Sequence, residues 1–155
     1  MAKKNIWMGS GGFAGIPRHV MKSADYKSLS GNAVKLLLGL SYQYRGNNNG
    51  DLTCAWSVLK EQGFNSPNTA HNAKNELLQK HMIKEVRKGV AAKGGSRLCS
   101  LYALSWQPLD ETFHKDGTPK HGKPSTKTPL RNNWCEVSLT NENKKNAVPK
   151  TVSIN

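Results

Sequence analysis

The chain has 155 residues, of which 36% are hydrophobic, enough for one domain with a modest core and a tail. Its 23 Lys+Arg against 10 Asp+Glu give a net charge of +13 and a pI near 9.9, which points to a polyanionic partner. Cys54, Cys99 and Cys135 are odd in number and far apart, with no C-x-x-C pair. That excludes a disulfide frame or a zinc finger and fits reduced thiols in the cytoplasm.

The charge is unevenly distributed: residues 1–106 carry +10 and residues 107–155 carry +3. The excess therefore belongs to the expected domain more than to a basic tail. The N-terminal residues lack a long apolar run, so neither a signal peptide nor a membrane span is expected.

Residues 1–12 are basic and glycine-rich and read as a flexible arm. Gly9-Ser10-Gly11-Gly12 has neither the Gly-Lys-Ser/Thr nor the G-x-G-x-x-G spacing of a phosphate loop. Phe13 to Pro17 is a short apolar segment fit to lie across a core, continued by Val20, Met21 and Tyr26, with Ser23 to Tyr26 turning. Ser30 then caps a helix through about Tyr44, whose Ala33, Leu36, Leu37, Leu40 and Tyr44 share one face. Arg45 to Gly50 is a loop, and Asp51 to Cys54 a short strand or cap. Trp56 and Leu59 mark a helix that stops at Gly63, where Trp56 and Trp106 are both expected in the core.

Ser66-Pro67 opens the stretch that organises the rest, an N-cap followed by proline at the first helical position. Ala70, Ala73 and Leu77 form its apolar stripe, while Asn68, Asn72, Asn75 and Gln79 fall on the opposite side. That side is polar without charge. Asparagine is a poor helix former, so four amides on one face weaken the helix in exchange for something else. Carboxamides carry the paired donor and acceptor that read adenine N6 and N7 in a major groove. The alternative is a surface helix that happens to be rich in asparagine.

Beyond His81 the pattern changes to alternation. Ile83 and Val86, a small-residue basic tip from Val90 to Ser96 and a returning run Arg97 to Trp106 predict a hairpin. From Gln107 onward, prolines punctuate a polar segment with few apolar residues, expected to be largely extended or disordered. Residues 134–139, from Trp134 to Leu139, are an apolar island within it, fit to dock on a protein partner.

Helix, glycine turn, second helix and hairpin make a helix-turn-helix followed by a wing. On Ile16-Pro17, Leu29-Ser30, Leu36-Leu37-Leu38, Asn49 to Thr53, Ser66 to Ala70, Glu76 to Leu78 and Ile83 to Gly89, residues 13–106 resemble the winged helix-turn-helix domains of bacteriophage and mobile-element proteins. Those include transcription regulators and the N-terminal domains of phage replication proteins. The resemblance implies an α+β, mainly α fold, with three helices, a β-hairpin wing and an irregular C-terminal tail. It places Ser66, Asn68, Thr69 and Asn72 near a groove, and Arg87, Lys88, Lys93 and Arg97 on or beside the wing. Dimers are common among its regulators, so a homodimer is one expected state.

The function expected is sequence-specific binding of double-stranded DNA, as a transcriptional regulator or origin binder. Ser66, Asn68, Thr69, His71, Asn72 and Asn75 would contact bases; Lys74, Arg87, Lys88, Lys93 and Arg97 would hold phosphate or the minor groove. Residues 66–97 carry a local charge of +5 for that purpose. Arg18, His19 and Lys22 either touch phosphate or are plain surface. No paired carboxylates, nucleophile motif or metal constellation is present, so no catalytic residue, cofactor or metal is expected. The competing reading is a protein-interaction adaptor that uses the domain as scaffold and the tail as its binding segment.

Overall fold

In the computed structural model, residues 12–91 and 93–134 are described. The expected arm 1–12 lies outside them except for Gly12, as do Ala92 at the hairpin tip and residues 135–139 of the expected docking segment. The described chain is α+β, with five helices and a small antiparallel sheet. Two of those helices were not expected: α1 (Arg18–Lys22) and α2 (Ala24–Lys27) replace the extended arm and turn. Ser23 joins them by donating from Oγ to the Val20 carbonyl (2.6 Å) and accepting from the Tyr26 N–H (3.2 Å).

The central helix α3 (Gly31–Gln43) begins where the capping serine predicts, with Ser30 Oγ accepting from the Ala33 N–H. Leu36, Leu37 and Leu40 are fully buried, and α4 (Trp56–Glu61) and α5 (Pro67–Gln79) share their core through Leu59, Ala70, Ala73 and Leu77.

The expected hairpin exists as two separate pairings. Strands β1 (Leu52–Thr53), β2 (Ile83–Arg87) and β5 (Leu101–Leu104) form a sheet in the order β1-β5-β2, with Leu52 opposite Tyr102 and Ile83 opposite Leu104. Strands β3 (Val90–Ala91) and β4 (Arg97–Leu98) form their own two-stranded ribbon beyond a register shift at Glu85/Arg87. Gly89 sits at the break. A Cβ there would lie 3.0 Å from the Leu98 carbonyl oxygen, so glycine permits the close approach of the two backbones without displacing either.

All four residues of β5 are buried, which a hairpin solvated on one face would not give. Tyr102 and Leu104 join the helical core, while Ala103 packs with Val86, Leu109 and Leu130 on the other face. Residues 107–130 supply that second cover. The domain therefore does not stop at Trp106, and the irregular segment is packed as far as Trp134. Arg131 donates to Asp25 (2.6 Å) and to the Lys80 carbonyl (3.0 Å), and its guanidinium stacks 4.1 Å from the Trp134 ring. Lys120 pairs with Asp51 at 2.5 Å. Trp134, expected to reach a partner, is 3% exposed in the protein's own core.

Asn49 holds the segment's first turn. Its Nδ2 faces the carbonyls of Leu104, Gln107 and Pro108 at 3.0, 3.3 and 2.8 Å, and its Oδ1 accepts from the Leu104 N–H at 2.7 Å. The composition hid this packing because its partners are long-range: three apolar anchors, spaced without period, and polar groups satisfied by distant backbone.

Trp134→Ala should lower unfolding free energy by about 3 kcal/mol or more through the cavity it leaves. Asn49→Ala should lower it by about 2 kcal/mol by orphaning buried backbone groups. Phe113→Ala, 54% exposed on the same segment, should stay within about 0.5 kcal/mol. Urea unfolding of the three variants checks this, and a loose tail would leave all three alike.

Candidate nucleic-acid interface

Small residues on the inner side of α5 set its position. Ala70 and Ala73 are buried against α3, and the absence of bulk there lets the two helices approach closely. Glu76 fixes the orientation: its Oε1 accepts from the Ser30 N–H and its Oε2 from the Ser30 hydroxyl, both at 2.6 Å. At the other end, Lys35 of α3 donates to the Gly63 carbonyl at 2.5 Å and lies 5.1 Å over the Phe64 ring. Gly63 itself has φ 85°, the left-handed conformation that makes the α4–α5 turn. Thus α3 and its cap hold α5 near its C-terminus and hold the turn that precedes it.

The opposite side is open. Asn68, His71, Asn72 and Gln79 are exposed, and Ser66, Thr69, Lys74 and Asn75 are half-buried. Among the described residues, none accepts from or donates to the Asn68, Asn72 or Asn75 carboxamides, whereas Asn48 and Asn49 are consumed by the fold. Ser66 stands at the N-cap position, but its hydroxyl accepts no bond from the first turn, contrary to the expected cap. It and the adjacent N–H groups therefore stand at the positive end of a long helix.

His71 Nδ1 lies 3.4 Å from Lys74 Nζ. Both line a recess of roughly 150 Å³ with Cys54, Trp56, Leu59, Pro67 and Ala70. Trp56, the first residue of α4, is 36% exposed at its rim and is not the core residue expected; Leu59, one turn on, is the residue of α4 that is buried. Burial pushes the Cys54 thiol up to about 12 against the opposing pull of Lys74, so it stays protonated and is a poor nucleophile or metal ligand. Among the described residues, no group of three or more His, Cys, Asp or Glu side chains could hold a metal ion.

The cationic residues divide. Lys88 and Arg97 are exposed on and beside the β3–β4 ribbon, whose turn uses positive φ at Gly94 and Gly95. The Lys93 side chain lies outside what is described. Arg87 does not belong with them: Nη1 donates to the Lys120 carbonyl (2.6 Å) and Nη2 to the Cys99 carbonyl (2.9 Å). It is a tie between β2, the ribbon's return and the 107–134 segment, and is lost to phosphate binding. Nothing in the local sequence separates Arg87 from Lys88; the approach of the Lys120 and Cys99 carbonyls does. The ribbon also presents Val90 and Leu98, paired across its strands and 51% and 38% exposed, which residue-type reasoning passed over.

Arg87→Ala should lower stability by about 2 kcal/mol through loss of two charge-assisted bonds, with Lys88→Ala within about 0.5 kcal/mol, both read by urea unfolding. In the folded protein at mildly alkaline pH, iodoacetamide should label Cys99 and spare Cys54, as peptide mapping would show. Comparison of the chain with protein-family models, with curated proteins and with solved structures finds no match in any of the three.

Proposed function

We propose that the chain is a sequence-specific double-stranded-DNA-binding protein of the winged helix-turn-helix type, with α5 in the major groove. The observation that carries the reading is the row of uncharged amides on α5, exposed at Asn68, Asn72 and Gln79 and half-buried at Asn75, free of hydrogen bonds to the described residues. A folded protein gains nothing from such a row in water, while a bidentate contact from asparagine to adenine discriminates by roughly 1–3 kcal/mol. Lys88 and Arg97 bring charge to the flank and would hold phosphate or enter the minor groove at the β3–β4 ribbon. The role in this reading is that of a phage or mobile-element transcription regulator or origin binder in the host cytoplasm. A protein-interaction adaptor draws less support, since Trp134 of its intended docking segment is buried in the domain.

Selection of bound duplexes from a random pool, at two salt concentrations, tests the reading. A defined site should emerge, and equal affinity for all duplexes would end the proposal. Asn72→Ala should relax base preference at one position. Lys88→Ala should weaken all sequences alike and flatten the slope of log affinity against log salt by about 0.9.

A further inference from the structure

A second candidate surface lies on the other side of α3 and shares no lining residue with α5 or the β3–β4 ribbon. It is an open cleft of roughly 1390 Å³ between the segment 12–17 and the end of α3 with its following loop. Phe13 and Tyr42 stand at it with 79% and 76% of their surface exposed, and Tyr44 and Trp106 line it more deeply. Exposed aromatic rings on a surface segment and on a helix are not needed by the core, which Leu36, Leu37 and Leu40 already fill.

Charge selects the class of ligand. The two charged lining residues are Arg45 and Asp51; the Asp51 carboxylate is already paired with Lys120, and the Arg45 guanidinium has no partner among the described residues. The uncompensated charge on the lining side chains is therefore that of Arg45. Arg18, one residue past the lining Pro17, is exposed as well. The volume exceeds the roughly 300–1,000 Å³ of a small-molecule pocket. Flat aromatic faces next to an unpaired guanidinium are what unpaired bases and their phosphates require.

We propose that this cleft is a site for single-stranded nucleic acid, whose bases stack on Phe13 and Tyr42 while Arg45 meets the backbone. The inference goes beyond duplex binding by α5 and stands on different residues. A DNA-bound molecule would then hold duplex on one side and unpaired strand on the other.

Fluorescence anisotropy of a short labelled oligothymidine with the full chain tests it. Tyr42→Ala and Phe13→Ala should each weaken binding about tenfold, and Tyr42→Trp should retain it. Arg45→Ala should weaken binding and flatten the salt slope by about 0.7. Asn72→Ala should leave oligothymidine affinity unchanged, and Tyr42→Ala should leave duplex selectivity unchanged, so the two sites succeed or fail separately. Because Phe13, Tyr42 and Arg45 are exposed, an unchanged urea midpoint in each variant excludes misfolding as the cause. No binding of the oligomer, or binding that Tyr42→Ala and Phe13→Ala leave intact, overturns the proposal.

Discussion

One buried carboxamide decides where the chain can go after the sheet. Asn49 is fully inaccessible, and its side chain satisfies the Leu104 N–H while facing the carbonyls of Leu104, Gln107 and Pro108 in the turn that leaves β5. Its own backbone exchanges two bonds with Asp110, N–H to Oδ2 and carbonyl to N–H, each at 2.8 Å. Without those bonds the turn would bury polar backbone unpaired, at roughly 1–3 kcal/mol per group. With them, the segment 107–130 is directed across the outer face of the sheet, and β5 becomes a strand buried on both sides. Neighbouring Gly50, at φ 122°, leaves room for His121 and Leu109; a Cβ there would lie 2.8 Å from His121 Nε2.

The sheet so covered is the platform against which α3 and α5 pack. Two polar ties join the α3 region to α5 and to the turn before it, Glu76 of α5 with Ser30 and Lys35 of α3 with Gly63. The alanine stripe of α5 faces inward, with the amide row on the opposite side. A helix held only by alanines would have little to resist rolling, since a methyl group offers small area and no directionality.

Neighbouring cations illustrate how packing sorts groups of one kind. Arg87 and Lys88 are adjacent, yet one is bound to two carbonyls and the other reaches into solvent. Arg131 likewise lies in a segment rich in lysine, and its planar guanidinium reaches Asp25, the Lys80 carbonyl and the Trp134 ring together. Arginine serves both ties because its fork can satisfy several acceptors and stack at once, which an ammonium cannot do.

What the sequence determined by itself was local. Ser30, the leucine periodicity of α3, Gly63 and the Ser66-Pro67 start each act within a few residues, through capping, helical spacing or backbone freedom, and so the helices of the central region were legible. The amide row of α5 was legible for the same reason, as a matter of angle around one helix. Tertiary structure alone decided that Trp56 lies at the surface, that Arg87 is a structural tie, that the hairpin splits at Gly89, and that Trp134 belongs to the core. Two of these depend on residues distant in sequence, Lys120 for Arg87 and the helical core for Trp134, and the split at Gly89 depends on the Leu98 carbonyl across the hairpin. A contact between segments far apart in the chain leaves no period in either of them, and only the folded arrangement reveals it.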